Sequence, residues 1–234
     1  MKDNPFYIIG NWKSNKSVAQ AIDWIKEFAL LWSKQPVNNA KVKIILCPGY
    51  IHLTTLNSLI DETRIPLYLG LQDVSAYGSG TYTGAISSQM AKGLVSYVLV
   101  GHSERRRHFH ETVKDFMLKV QQAHAVDLPV IYCVQDEQEA IPADCQIVAY
   151  EPVWAISSGD PYAGKSNRPE NANRIAALIK KANPGVKSVI YGGSVIPDNV
   201  AGYAQTEHIN GVLPGGASLD ARTFFQLITN ASQI

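Results

Sequence analysis

Short apolar runs that recur along the whole chain constrain its fold more than any other feature of the sequence. Their length and β-branched content are typical of buried strands, and they fall at residues 6–11, 42–47, 67–71, 97–101, 129–134, 147–150, 188–191 and 211–213. Stretches with apolar residues at helical spacing lie between them, at residues 17–31, 53–60, 87–94, 113–125, 169–182, 197–204 and 220–228. This alternation has no linker or low-complexity break, and it predicts parallel βα units in one domain covering residues 1–234.

Such βα units predict an α/β fold that closes into a single (β/α)8 barrel, because closure removes both edge strands. An open doubly wound sheet is the alternative. However, the usual dinucleotide-binding glycine fingerprint is absent after the first strand, where Gly10-Asn11-Trp12-Lys13 stands.

The connection at residues 135–146, which includes Pro142, departs from this pattern. It is too short for a full crossover helix. The helix between strands five and six is therefore predicted to be missing or shortened. Its loss would leave apolar surface on the outside of the barrel, either exposed or covered by a neighbouring molecule.

Composition and charge exclude several other classes of protein. The hydrophobic fraction is 46% and the charged fraction 18%, which favours a packed core over disorder. A formal net charge of +1 gives no general attraction to nucleic acid or to an anionic membrane. No run is long enough for a membrane span, and the N-terminus lacks the apolar core of a signal peptide. The odd set Cys47, Cys133 and Cys145 favours reduced thiols in a cytoplasmic protein over a disulfide framework.

A carboxylate stands at the end of the sixth predicted strand. Glu151 follows the apolar run 147–150, and Pro152 then fixes the backbone direction. An active-site base would be built at such a position. A solvated glutamate at a strand end would produce the same local pattern, so Glu151 alone leaves both interpretations open.

Polar residues also follow other predicted strands. They are Asn11 and Lys13 after strand one, His102-Ser103-Glu104 after strand four, and glycine-rich turns at 192–194 and 215–216 after strands seven and eight. Taken singly, Lys13 could be an ordinary loop lysine, His102 a structural histidine and the glycines turn formers. Because the carboxyl ends of barrel strands meet on one face, an ammonium, an imidazole and a carboxylate are expected there together. The two glycine turns, with Lys13 nearby, predict a phosphate-binding site.

Five motifs together resemble those of the triosephosphate isomerase family, and they occur in the family's order along nearly the whole chain. They are Asn11-Trp12-Lys13 and the segments 100–106, 149–156, 191–195 and 215–219. The resemblance implies an enzyme of glycolysis and gluconeogenesis that interconverts dihydroxyacetone phosphate and D-glyceraldehyde 3-phosphate. It implies no metal and no organic cofactor. It also implies a homodimer in which the loop 75–83 inserts beside Asn11 and Lys13 of a partner, with Thr83 in contact.

The resemblance also implies roles for the catalytic side chains. Glu151 would move a carbon-bound proton, and His102 would polarise the substrate oxygen as a neutral imidazole. The positive end of a helix dipole just behind His102 would disfavour the charged imidazolium. Lys13 and Asn11 would hold the polar groups of the substrate, and Glu104 would orient or neutralise Lys13.

Further residues are implied in binding and support. Backbone amides would hold the phosphate, two apolar side chains would cover the base when a lid closes, and one serine would be a supporting residue of the site. The amides are those near Ser157, Ser194, Gly215 and Gly216, the covering residues are Ile156 and Leu213, and the serine is Ser103.

Several departures from the family pattern are predicted to matter. Ser157-Ser158-Gly159 stands where Gly-Thr-Gly is usual, and the lid segment 160–168 is longer by about five residues. Ala85 replaces a glutamate that would pair with Arg105, and Asp73 replaces an asparagine. The altered lid leaves two alternatives open. One is a phosphosugar-binding barrel with weakened turnover, and the other is an isomerase of another small phosphorylated aldose and ketose.

Overall fold

The alternation of apolar runs produces one closed barrel of parallel strands. The computed structural model describes residues 5–38, 40–152 and 167–233. Within them the strands pair in chain order from β1 to β8, and β8 returns to pair with β1. The strands are β1 (Phe6–Asn11), β2 (Val42–Cys47), β3 (Leu67–Leu71), β4 (Tyr97–Val100), β5 (Val130–Val134), β6 (Ile147–Tyr150), β7 (Ser188–Tyr191) and β8 (Ile209–Val212). The predicted (β/α)8 fold is confirmed.

Helices cover the outside of the barrel. They are α1 (Val18–Lys34), α2 (Leu53–Thr63), α3 (Ser88–Ala91), α4 (Ser103–Phe109), α5 (Val113–His124), α6 (Pro169–Ala182), α7 (Val200–Ala204) and α8 (Ala221–Ser232). The bounds of α6 match the prediction, whereas α3 is shorter because the chain leaves the helix at Lys92 and turns through Gly93, at φ +85°. Among the described helices, none combines the length and the apolar character needed to cross a membrane.

Side chains alternate between two apolar layers. Residues such as Ile9, Ile45 and Leu99 fill the barrel interior, while their neighbours in sequence, such as Ile8 and Ile44, pack outward against the helices. This alternation follows from the period of two in a strand. It makes each strand apolar on both faces and leaves the polar residues that follow the strands at the rim.

The connection between β5 and β6 forms turns and bends over residues 135–146, with no helix in this described stretch, as predicted. The outward-facing side chains of both strands are nevertheless buried, including Tyr132 and Val148, each at 0% exposure. Cys145 and Ile141 of the connection pack into this apolar layer, and Phe116 of α5 meets Tyr132 edge-on. The predicted exposed or neighbour-covered surface is therefore wrong, because an irregular segment covers the strands without a helix.

A carboxylate in this connection also ties it to the end of the barrel. Glu139 accepts a hydrogen bond from the Gln135 amide at 2.8 Å and pairs with Arg106 at 2.8 Å. The Arg106 guanidinium donates to the carbonyls of Gly101 and Cys133, at 2.8 and 2.9 Å. The carboxyl ends of β4 and β5 are thus held together without a helix between β5 and β6.

Candidate active site

Glu151 occupies a buried position directly after β6. Its amide donates to the Val134 carbonyl at 2.8 Å, which continues the pairing of β6 with β5. The side chain is only 1% exposed, so the alternative of a solvated strand end is wrong. One carboxylate oxygen, Oε2, accepts from the Ser103 amide at 3.0 Å, and the other, Oε1, lies 3.2 Å from His102 Nε2.

The Cys133 thiol is a further neighbour of this carboxylate. Burial raises the pKa of the Cys133 thiol well above its usual value, and the charge of Glu151 raises it further. The thiol therefore stays protonated and is available to donate a hydrogen bond to Glu151. Sequence reasoning assigned Cys133 to the core only, since an apolar strand gives no sign of which of its side chains will meet the base.

His102 is held as a hydrogen-bond donor toward Glu151. It occupies the N-cap position of α4, where its Nδ1 accepts from the Glu104 amide at 3.2 Å. A nitrogen that accepts a hydrogen bond carries no proton, so the proton of the neutral ring lies on Nε2. The imidazole can therefore donate from Nε2 to an oxygen placed beside Glu151.

Lys13 lies across the mouth of the barrel with a fixed backbone. Its φ is +53°, a left-handed conformation that is uncommon outside glycine. Three bonds hold it: the Lys13 amide donates to Asn11 Oδ1 at 2.9 Å, Gln72 donates to the Lys13 carbonyl at 2.8 Å, and the Lys13 ammonium pairs with Glu104 Oε1 at 2.6 Å. Lys13 thus pairs with Glu104, as predicted, and Asn11 beside it is buried. Gln72 was missed because only the fold brings it to Lys13.

The two glycine turns touch the predicted catalytic side chains. A Cβ at Gly192 would lie 2.8 Å from Glu151 Cγ, and one at Gly215 would lie 3.2 Å from Lys13 Cε. The first of these distances is shorter than real Cβ contacts allow. Backbone of the predicted phosphate site thus lies against both the Glu151 carboxylate side chain and the Lys13 side chain, at one end of the barrel.

Further predicted site residues lie at the same rim. Ser194 is buried, and its carbonyl accepts from Asn199 Nδ2 at 3.2 Å. Gly216 begins a short 3-10 turn (Gly216–Ser218) that follows β8. Leu213 is 3% exposed, and its amide donates to the Tyr191 carbonyl at 2.8 Å. Ile156 and Ser157 lie outside the described residues, as does the lid segment up to residue 166.

Arg105 lies in a network of four charged side chains, two basic and two acidic. Ala85 stands where the family pattern has a glutamate that would pair with this arginine. Its guanidinium contacts Asp73 at 2.9 Å and Glu111 at 2.6 Å. The buried Lys119 ammonium lies 2.6 Å from Asp73 and 2.5 Å from Glu111. Burial alone would raise the pKa of Glu111, but hydrogen bonds from Arg105 and Lys119 bring that pKa below its ordinary value. Asp73, a departure from the family pattern, therefore supplies a carboxylate to Arg105 within the chain.

Comparisons with known proteins agree with this geometry. The family model described as triosephosphate isomerase matches residues 6–146 and 141–231, and the two stretches meet in the helix-free connection. A triosephosphate isomerase of Acinetobacter baumannii is 33% identical over 259 residues, which covers 97% of this chain and 96% of that protein. One from Mycoplasma pneumoniae is 34% identical, with 93% and 95% covered. Another, from Caldanaerobacter subterraneus subsp. tengcongensis, is also 34% identical, with 94% and 97% covered. With its closed barrel and its rim of lysine, histidine and glutamate, this chain belongs to the triosephosphate isomerase family.

Proposed function

We propose that the chain interconverts dihydroxyacetone phosphate and D-glyceraldehyde 3-phosphate through an enediolate. Glu151 is the base, His102 the electrophile and Lys13 the electrostatic stabiliser. The observation that carries this proposal is the buried Glu151 carboxylate with its Oε1 3.2 Å from His102 Nε2. A base and a donor at this separation can act on adjacent atoms of one small substrate, a carbon-bound proton and the neighbouring carbonyl oxygen.

Substrate binding would rearrange these contacts. His102 Nε2 has one proton, so a substrate oxygen must replace Glu151 as its acceptor. Glu151 is then released toward the carbon that loses the proton, and it returns that proton to the neighbouring carbon. The hydroxyl proton of the substrate passes between the two oxygens of the enediolate, so that the old carbonyl becomes a hydroxyl and the old hydroxyl a carbonyl. Negative charge develops on the substrate oxygen, where the His102 donor and the Lys13 ammonium stabilise it in a site shielded from water.

The phosphate would be held by backbone amides near Ser194, Gly215 and Gly216, joined by the predicted amide near Ser157. Contacts of Gly192 with Glu151 and of Gly215 with Lys13 support this placement, since they put both turns within reach of one three-carbon substrate. Ile156 and Leu213 would cover Glu151 during turnover, and exclusion of water would strengthen the carboxylate as a base.

We expect the wild-type protein to show robust turnover in a coupled assay that starts from either triose phosphate. The longer lid and the serines at 157–158 favour one second candidate, a phosphosugar-binding barrel that has lost turnover. Binding of both triose phosphates without turnover would replace our proposal with that candidate. Turnover of another phosphorylated aldose–ketose pair, with none of the trioses, would indicate the remaining alternative.

We also propose that the protein acts as a homodimer in the cytoplasm. The loop 75–83 carries two stacked tyrosines, Tyr77 and Tyr82, which are 52% and 45% exposed. Apolar rings in this position suit insertion into a second copy beside Asn11 and Lys13. The three cysteines are free and buried, which suits a reducing compartment.

Sedimentation of the purified protein tests the dimer. We expect a sedimenting mass of twice 25.6 kDa or of a higher multiple. Replacement of Tyr82 by aspartate should shift the protein toward the monomer and lower its activity, whereas Tyr68→Asp, at another exposed tyrosine, should not. A fully active wild-type monomer would contradict the proposal.

A further inference from the structure

Two stacked tyrosines meet beside the peptide unit that precedes α6. Tyr191 ends β7 and Tyr203 lies in α7, and their ring centroids are 4.4 Å apart with an interplanar angle of 17°. Both side chains are 0% exposed, and Asn167 beside them is 3% exposed. At this depth each hydroxyl and each backbone group of Asn167 depends on partners within the protein.

The hydroxyl groups form a ring of hydrogen bonds with the backbone of Asn167. The Asn167 amide donates to Tyr191 Oη at 3.1 Å, and Tyr203 Oη donates to the Asn167 carbonyl at 2.5 Å. Burial raises the pKa of the Tyr191 hydroxyl, and the adjacent Tyr203 hydroxyl, placed to accept a hydrogen bond from it, raises that pKa further. Since a hydroxyl can donate and accept at once, the directions are consistent around the ring, and such a chain of bonds is mutually strengthening.

This ring lies directly beneath the predicted phosphate-binding turn. A Cβ at Gly193 would overlap Tyr191 Oη, so the tyrosine fills the space under the turn at 192–194. The Tyr191 carbonyl accepts the Leu213 amide at 2.8 Å, which connects the ring to the start of the second glycine turn. A shift of the Tyr191 side chain would therefore move the backbone at Gly193 and Ser194.

We propose that Tyr203 is a positioning residue for phosphate binding. By closing the ring around Asn167, its hydroxyl fixes Tyr191 and hence the backbone amides of the turn at 192–194. This inference rests on the proposed function, since it concerns the site that holds the substrate phosphate. Tyr203 acts through Tyr191 and has no part in proton transfer.

Removing the Tyr203 hydroxyl tests this role. Tyr203→Phe leaves the buried Asn167 carbonyl without that donor, so we expect kcat/KM to fall by about fivefold to tenfold. The inhibition constant of inorganic phosphate should rise by a similar factor. The pH profile of kcat should not change, because Glu151 and His102 keep their contacts. Combining Tyr203→Phe with Tyr191→Phe should cost little more than the larger single effect, as expected for members of one ring.

Tyr132 offers a matched control. It is also 0% exposed, and its hydroxyl has no hydrogen-bond partner within the part of the chain that the structure describes. Tyr132→Phe should therefore leave kcat/KM and the phosphate inhibition constant unchanged. The proposal is wrong if Tyr203→Phe behaves like Tyr132→Phe, or if it lowers only the melting temperature.

Two measurements separate this proposal from failure of the proposed function or of the variant. If the wild type binds phosphate without turnover, titration of the Ser194 amide signal by NMR should still show weaker phosphate binding in Tyr203→Phe. If the variant does not fold, the rate of hydrogen exchange at the Asn167 amide of the wild type tests whether the hydrogen-bonded ring forms. Strong protection supports the ring, and exchange at the rate of an open amide overturns it.

Discussion

We expect Glu151→Gln to lower kcat by about 10²–10⁴-fold, the usual contribution of a positioned general base. Glutamine has nearly the same shape as glutamate. Its amide oxygen can still accept the hydrogen bond that the Ser103 amide donates to Glu151 at 3.0 Å. It cannot take a proton from carbon at neutral pH. The fold and the phosphate site should persist, so inorganic phosphate should still bind to the variant and compete with the substrate. The measurement is steady-state kinetics in the coupled assay beside the wild type.

The matched control is Glu207→Gln, the same chemical change at a side chain that is 81% exposed. It should leave kcat and KM unchanged. If Glu151→Gln keeps more than a tenth of the wild-type kcat, Glu151 is not the base, and the buried carboxylate serves to hold His102 and Ser103.

We expect Lys119→Met to destabilise the protein by about 3–5 kcal/mol, the range found when one partner of a buried ion pair is removed. Lys119 is 4% exposed, and its loss leaves the carboxylates of Asp73 and Glu111 facing each other with only Arg105 between them. For a domain of this size the melting temperature should fall by about 6–20 °C. Calorimetry or thermal melting measures the shift.

Two further variants test whether charge is the cause. Lys114→Met changes an exposed lysine on the same helix and should leave stability nearly unchanged. Adding Asp73→Asn to Lys119→Met removes the excess negative charge and should recover part of the loss. If Lys114→Met and Lys119→Met are equally stable, the network contributes nothing.

The same network predicts a dependence on pH. The pKa of Glu111 is lower in the folded protein than the ordinary value of 4.5. Its contribution to stability is therefore fully present above about pH 4.5 and is lost as the pH falls through the folded value. Lys119 is one cause of the lowered pKa. The gap between Lys119→Met and the wild type should therefore narrow in acid.

The barrel could be predicted because its signal is repeated and local. Every strand is a separate apolar run, and the bounds of β1, β2 and β3 agree with the structure. The bounds of β8 were misplaced, since the strand was predicted at residues 211–213 and runs Ile209–Val212. A register shift lies between Val189 and Ile190 of its neighbour β7. Irregular pairing of this kind leaves no trace in the apolar pattern.

The place of Lys13, His102 and Glu151 at one rim could be predicted because each follows a strand within two residues, and parallel strands bring their ends together. Of the residues that hold them, Glu104 and Ser103 were predicted, whereas Cys133 and Gln72 were not. Cys133 and Gln72 come from other strands or their ends, and their spacing from the catalytic residues carries no periodic signal. Long-range side-chain contacts of this kind depend on the barrel being closed. Sequence reasoning therefore located three polar groups at one rim but only part of what surrounds them.

The contact between Gly192 and Glu151 limits how such a site can change. A methyl group at Gly192 would lie 2.8 Å from the Glu151 side chain, and one at Gly215 would lie 3.2 Å from that of Lys13. Adjusting either turn to accept a bulkier anion would therefore displace the base or the ammonium. Substitutions in these turns that alter binding of the ligand would therefore also alter reactivity toward it. New substrates would have to be accommodated from the lid side, where Ser157-Ser158-Gly159 already departs from the pattern expected of the family.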